Sequence, residues 1–254
     1  MLNPFKSNTV SVCWTPYFCG PNKKDNYHNP FNEIQILFTE PQPLLKEISR
    51  IHKDKDFIAC PSMLESCRNV FVINAPMDAD ITIATENNTM FVTGHGWSQE
   101  YYDSFCRVQS GGVVSIPPTY VFYSTEPVIM EMLPVFLLPS TSIENTMFVP
   151  GSMDISKWIR PVDFSFVVRD PAKPITIRRG EPLMFVRFTT KNKQKVVLER
   201  VESTSELNNM VHSCAMLKHR VTGLKLPELY NMAKLHIDRF LGRKVKKCPF
   251  HWGK

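Results

Sequence analysis

The sequence contains little glycine and no motif of a common enzyme class. Glycine occurs 10 times and proline 20 times in 254 residues, so that proline, at about 8%, exceeds the usual ~5%. Frequent rigid turns suit many short strands better than a helical bundle. The patterns GxxxxGK[ST], GxGxxG and GxSxG do not occur. The motifs of P-loop, dinucleotide-binding and hydrolase-elbow proteins are therefore missing.

Long apolar segments are missing as well. The longest, Val128 to Leu138, is interrupted by Glu131 and Pro134 and is shorter than the ~20 residues that span a bilayer as a helix. The N-terminus has no continuous apolar run of the kind found in signal peptides. Cysteine occurs seven times with no CxxC spacing, which favours reduced thiols over a disulfide framework. We therefore expect an intracellular protein that does not enter a membrane.

The composition is otherwise that of a folded protein, with 43% hydrophobic and 21% charged residues. Three regions follow from the pattern along the chain. We expect an N-terminal β elaboration with a loop and a short helix (1–56), a β-rich core (57–201), and a C-terminal helical pair with a basic tail (202–254). The predicted fold is mainly β, a sandwich or distorted barrel of jelly-roll type.

The strand predictions depend on apolar runs between prolines. Val128–Met132 and Val135–Leu138 are predicted strands separated by Pro134. Leu183–Phe188 and Val196–Val201 are predicted to form a hairpin, with the lysine-rich segment Lys191–Lys195 as its turn.

Three segments have the apolar spacing of helices. A short helix is predicted from Pro43 to His52. The period changes from two to 3.6 after Arg200, which predicts an amphipathic helix over Thr204–Arg220, capped by Ser203. A second C-terminal helix is predicted to begin at Leu226 and to stop at Gly242.

Histidine and cysteine occur in short pairs that resemble metal-ligand spacing. Cys248-Pro-Phe-His251 and His212-Ser-Cys214 do not complete a zinc set, and His236-Ile-Asp238 lies on a predicted helix. We predict no metal site and no catalytic residue.

The net charge of +6 is concentrated near the C-terminus. Eight basic and two acidic residues follow Leu224. Basic clusters can bind nucleic-acid phosphates. The candidate contacts are Arg243, Lys244, Lys246 and Lys247.

The order of strands and turns between Val135 and Phe188 resembles the trimeric dUTPase and dCTP deaminase fold. A Pro-Ser-Thr-Ser turn, a Pro-Gly-x-x-Asp turn and a final P-I-x-I-x-x-G-E-P-L segment carry the resemblance. The resemblance implies a phosphate turn at Ser140 and Ser142, a turn carboxylate at Asp154 and an aromatic residue at Trp158. It also implies a nucleotide ligand, with Mg²⁺ as the accompanying ion.

Three departures weigh against catalysis of that type. The arginine expected beside the serines is absent, Asp163–Val168 offers no glutamate, and Met184-Phe185-Val186 replaces the late glutamine. Asp154, Trp158 and Arg160 could alternatively form a recognition surface for an amide, sugar or base. A structural role is also open, with Asp154 capping its own turn, Trp158 buried, and Arg160 paired with Asp163 or Asp154.

A second resemblance covers residues 57–201. The segments FIACPSMLESCRNVFVINAPMD, EPVIMEMLPVFL, PGSMDISKWIRPVDFSF and IRRGEPLMFVRF resemble an uncharacterised family of large tailed bacteriophages and some bacteria. The resemblance implies a phage protein in the host cytoplasm or the virion. We therefore expect a non-enzymatic, homo-oligomeric protein that binds phage or host proteins during assembly, in the virion or in host takeover. The two alternative hypotheses are nucleotide binding or hydrolysis and nucleic-acid binding through the basic tail.

Overall fold

The computed structural model describes residues 9–17, 38–52, 58–86, 89–95, 99, 102–103, 106–108, 112–116, 120–220 and 223–243. In these residues the protein is mainly β, with several sheets in a sandwich-like arrangement and two C-terminal helices. This confirms the predicted fold class. No sheet in the described ranges closes into a barrel, which fits the sandwich-like alternative better than the barrel.

Short strands predominate up to Arg200, and the two longest helices of the described ranges follow them. The described strands are β1 (Thr9–Pro16), β2 (Gln42–Pro43), β3 (Val70–Asn74), β4 (Ala79–Glu86), β5 (Thr89–His95), β6 (Arg107–Val108), β7 (Val113–Ile116), β8 (Tyr120–Tyr123), β9 (Val128–Leu133), β10 (Thr146–Phe148), β11 (Gly151–Asp154), β12 (Phe164–Val168), β13 (Ile175–Ile177), β14 (Pro182–Thr190) and β15 (Lys195–Arg200). The described helices are α1 (Leu44–Ile51), α2 (Pro61–Ser66), α3 (Ser205–Arg220) and α4 (Leu226–Phe240).

The strands form four sheets. Their strand orders are β15-β1-β8, β10-β12-β7-β6, β11-β9-β14-β3-β2 and β13-β4-β5. Strand β1 pairs with β15 in parallel and with β8 antiparallel. The N-terminal strand is therefore the central strand of a sheet whose other members come from the middle and the end of the β-rich region.

The five-stranded sheet is buried on both faces at its centre. Phe71 and Ile73 of β3 pack into the main core, whereas Val70 and Val72 pack into a second apolar cluster with Leu44 of α1. A strand covered on both faces needs a continuous apolar run rather than an alternating one. This explains why every residue from Val70 to Ile73 is apolar.

The prediction of a strand at Val135–Leu138 is wrong. The segment forms bends, and Leu137 has a φ of 59°. Prolines 134 and 139 flank the segment and cannot donate to a strand ladder. Val135 and Leu138 are nevertheless buried in the second cluster, which accounts for their apolar character.

The predicted hairpin between β14 and β15 is also wrong. A turn does occur, in which the Gln194 N–H donates to the Thr190 hydroxyl at 2.7 Å. The two strands then enter different sheets, because β14 pairs with β3 and β9 while β15 pairs with β1. Apolar alternation shows that a strand exists, but it does not identify the strand's partner.

The three predicted helices are confirmed as α1, α3 and α4, whereas the short α2 has no counterpart among the predicted helices. The cap of α3 differs from the prediction, since the Thr204 hydroxyl rather than Ser203 accepts the Leu207 N–H, at 3.2 Å. Leu207, Val211, Ala233 and Ile237 bury one face of the pair in the main core. None of the helices in the described ranges has the length and hydropathy needed to cross a membrane.

Candidate functional site

Strand β15 has an open edge. It lies at the end of its three-stranded sheet and pairs only with β1 among the described strands. An open edge presents backbone N–H and C=O groups that can pair with another chain.

Two hydrogen bonds show which backbone groups of β15 point outward. The Val201 N–H donates to the Trp14 carbonyl of β1 at 2.9 Å, whereas the Val196 N–H donates to Asn69 Oδ1, away from β1, at 2.9 Å. Successive residues of a strand point their backbone groups to opposite sides. The N–H and C=O groups of Leu198 and Arg200 therefore face away from β1. These groups have no hydrogen-bond partner within the described ranges.

Asn69 closes the first positions of this edge. Its side-chain amide accepts from the Val196 N–H and donates to the Gln194 carbonyl at 2.9 Å. This two-bond contact imitates a neighbouring strand for one residue. Asn69 adopts a φ of 52°, a left-handed conformation that asparagine tolerates better than most residues. From Leu198 onward, no described strand pairs with this edge.

A cavity of about 610 Å³ borders the open edge. We call it the β15 groove. Its apolar lining includes Pro43, Leu45, Val197 and Leu198. Val197 is 42% exposed, although it lies on a strand. The groove thus combines apolar side chains with unpaired backbone groups.

The charges that line the β15 groove are mainly positive. Arg68, Lys193 and Lys195 line it together with one acidic residue, Glu40. The Lys193 and Arg68 side chains are 79% and 49% exposed, and both pair with Glu65, at 3.7 and 3.2 Å. A ligand carboxylate would therefore compete with Glu65 for these two cations. This charge favours an acidic partner.

The predicted phosphate turn lies elsewhere. The hydroxyls of Ser140 and Ser142 are 2.9 Å apart and hydrogen-bond to each other, and Ser142 is 2% exposed. Between them, the backbone N–H and hydroxyl of Thr141 donate to Glu181 Oε2 at 2.9 and 2.8 Å. The turn is therefore tied to the neighbouring glutamate.

Asp154 is 4% exposed and interacts with its own turn. Its Oδ1 accepts the N–H and the hydroxyl of Ser156 at 3.0 and 2.6 Å, and Oδ2 pairs with Lys157 at 2.7 Å. The Asp154 N–H donates to the Tyr230 hydroxyl of α4 at 2.8 Å. No hydrogen bond or ion pair in the described ranges joins Asp154 to Ser140 or Ser142.

Trp158 is buried, and Arg160 is largely buried. Trp158 is 2% exposed, and its ring centroid lies 6.3 Å from that of Tyr230. Arg160 pairs with Asp163, and its Nε donates to the Pro161 carbonyl at 3.2 Å. Burial, followed by the nearby positive charge of Arg107, lowers the pKa of Arg160 to about 10. The structure thus brings Trp158 close to Tyr230 and Arg160 close to Asp163, but it joins neither to the serine turn by a hydrogen bond or ion pair.

Arg243 connects the end of α4 to the β-rich region. Its guanidinium donates to the Ser156 carbonyl at 2.8 Å and to the Thr125 carbonyl at 2.6 Å, and it lies 3.4 Å from Asp238. Hydrogen bonds from Lys234, the charge of Lys234 and the contacts of Arg243 lower the pKa of Asp238. Lys244, Lys246 and Lys247, the other candidate phosphate contacts, lie outside the described residues.

Arg243→Ala is expected to lower the free energy of unfolding by about 2 kcal/mol, because two carbonyls lose a charged donor. Urea denaturation measures this change. Arg239→Ala is the matched control, since the exposed Arg239 side chain makes no hydrogen bond or ion pair in the described ranges. An unchanged stability of Arg243→Ala, together with weaker DNA binding, would instead support Arg243 as a phosphate contact.

Groups of acidic, histidine and cysteine side chains give no further site. Within the described ranges, no three of these side chains converge on a position suitable for a metal ion.

The β15 groove was not among the sites predicted from the sequence. Its basic residues are as typical of a solvent-exposed turn as of a binding site. Its apolar residues belong to segments that are far apart in the sequence. The lysine cluster at 191–195 is the one sequence signal that could have indicated it.

Comparisons of the chain with models of protein families, with curated proteins and with solved structures found no match.

Proposed function

We propose that this protein acts by binding an acidic, extended segment of another protein at the β15 groove. The observation that carries the proposal is the open edge of β15, where Leu198 and Arg200 direct unpaired backbone groups away from β1. A peptide that adds a strand to such an edge gains affinity from main-chain hydrogen bonds. Specificity then comes from every second side chain of the peptide.

The surroundings of the edge support this mode of binding. Leu198 and Pro43 offer apolar contact to one face of an added strand. Lys193 and Lys195 lie at the same groove and attract carboxylates. A peptide in which apolar and acidic residues alternate satisfies both requirements.

The phage-family resemblance suggests the biological setting of this binding. The partner would be a phage or host protein met in the virion, during assembly or in host takeover. A second copy of the chain is the alternative occupant, because two open edges can pair with each other. We favour the acidic segment, since like-charged grooves repel each other.

The nucleotide and nucleic-acid hypotheses receive less support. The carboxylate of Asp154 and the hydroxyls of Ser140 and Ser142 interact locally, in separate turns. Arg243 uses its donors on backbone carbonyls. Both hypotheses stay predictions.

A synthetic peptide tests the proposal directly. The probe is a fluorescein-labelled octapeptide of alternating valine and glutamate, titrated with the full chain and followed by fluorescence anisotropy. We expect saturable binding that weakens at least about tenfold in the double variant Lys193→Glu/Lys195→Glu, because two attractive contacts become repulsive. Lys191→Glu is the control for charge reversal outside the groove, since it makes half of this charge change at a residue that does not line the groove.

Hydrogen exchange identifies what occupies the edge. The amides of Leu198 and Arg200 should exchange fast in the free protein and slowly with the peptide. Slow exchange in the dilute, free protein would mean that another part of the chain covers β15, and would overturn the proposal. The exchange could instead be slow only at concentrations at which sedimentation shows dimers. A second copy of the chain would then occupy the edge, and the proposal would be wrong. Equal peptide binding by the wild type, the double variant and Lys191→Glu would also contradict the proposal.

A further inference from the structure

A second cavity lies at the surface between α3 and α4. Its volume is about 380 Å³, and it is lined by His212, Ser213, Met216, Leu217, Met232 and His236. Four of these six residues carry an imidazole or a thioether. The cavity is separate from the β15 groove, with which it shares no lining residue.

The spacing of the four residues is the same on both helices. His212 and Met216 are four residues apart on α3, and Met232 and His236 are four residues apart on α4. Residues four apart lie on one face of a helix. The two helices pack against each other, and residues of both line the cavity. Each helix therefore contributes one imidazole and one thioether to one cavity.

These side chains have no evident structural task. The core-facing positions of the pair are other residues, such as Val211 and Ala233. Met232 is 47% exposed, and neither His212 nor His236 has a hydrogen-bond partner in the described ranges. The two imidazoles are therefore available to a ligand at this cavity.

We propose that this cavity binds one copper(I) ion through the imidazoles of His212 and His236 and the thioethers of Met216 and Met232. Thioether sulfur is a soft ligand that selects copper(I), and imidazole also binds copper. No acidic side chain lines the cavity. The ligand set is therefore poorly suited to magnesium, calcium or manganese, which prefer oxygen.

The test must first remove competition from thiols. Cys60 is exposed, and a hydrogen bond from Ser62 together with backbone hydrogen bonds lowers its pKa, which makes it a competing copper ligand. The accessible thiols of the full chain are therefore alkylated. Copper(I) is then titrated without oxygen, in the presence of ascorbate and the chromogenic chelator bicinchoninate. We expect one equivalent to be withheld from the chelator, with sulfur and nitrogen neighbours in its X-ray absorption spectrum.

Methionine-to-leucine variants separate the ligands from the packing. Met216→Leu/Met232→Leu keeps the side-chain volume, so the fold should be retained, as circular dichroism will check. We expect its copper(I) affinity to fall at least about tenfold, as loss of a ligand costs no less than loss of an outer-shell partner. Met147→Leu, an exposed methionine of β10, is the matched control. The double variant His212→Gln/His236→Gln should lose affinity similarly. No copper retained by the alkylated wild type, or equal retention by all variants, would overturn the proposal.

Discussion

Asp163→Ala is expected to lower the free energy of unfolding by about 3 kcal/mol, because it leaves the largely buried Arg160 without its counter-charge. The two side chains are paired and only 14% and 17% exposed. The fold already disfavours the charge at Arg160, since burial and the positive charge of Arg107 lower its pKa. Removal of Asp163 takes away the negative charge that opposes these two effects. Urea denaturation of the purified protein measures the loss.

Two control variants distinguish this effect from a general effect of removing charge. Glu65→Ala removes an exposed partner of Arg68 and is expected to cost less than about 1 kcal/mol. Arg160→Met/Asp163→Leu replaces the whole pair by apolar side chains and should recover most of the stability. A loss below about 1 kcal/mol in Asp163→Ala would show that Arg160 does not depend on this partner.

Arg160 also shows why site predictions from sequence are difficult. The sequence leaves open whether Arg160 binds a ligand or pairs with Asp163 or Asp154. The three-residue spacing to Asp163 is visible in the sequence, but burial is not. Whether a charged side chain binds a ligand or makes a structural ion pair depends on how far it is buried. Its burial is determined by segments that are distant in the sequence.

Secondary structure was more predictable than strand pairing. The helical spacing of Leu44, Ile48 and their neighbours predicted α1, because periodicity is a local property. The parallel pairing of β1 with β15 joins segments nearly two hundred residues apart, as with Thr9 and Lys195. No local pattern encodes such a pair.

The β15 groove depends on the same long-range pairing. Lys193 and Lys195 fit a hairpin turn only if β15 pairs with β14. Because β15 pairs with β1 instead, its other edge has no partner among the described strands, and Lys193 and Lys195 line a groove there. Apolar patterns in the sequence show that β15 is a strand. They do not show the strand order, and it is the strand order that creates the groove.

Gly94→Ala is expected to lower the free energy of unfolding by about 2–3 kcal/mol, through steric overlap in a packed region. A Cβ atom at Gly94 would come closer than real contacts allow to the Asp80 carbonyl and the Tyr102 ring. The Tyr102 side chain is fully buried, and its hydroxyl donates to that carbonyl at 3.5 Å. Since the Asp80 carbonyl belongs to β4, which pairs with β5 at Gly94, relief requires a shift of the strand pair.

Gly151→Ala is the matched control for this prediction. A Cβ there would lie 2.5 Å from Cε of Met132, the end of a flexible side chain that can move. We expect its free energy of unfolding to stay within about 0.5 kcal/mol of wild type. The melting temperature of Gly94→Ala should fall by roughly 5–10 °C, as measured by calorimetry. Equal melting temperatures for the two variants would mean that Tyr102 and β4 adapt at little cost, and that Gly94 is not needed for the close approach of Tyr102 to β5.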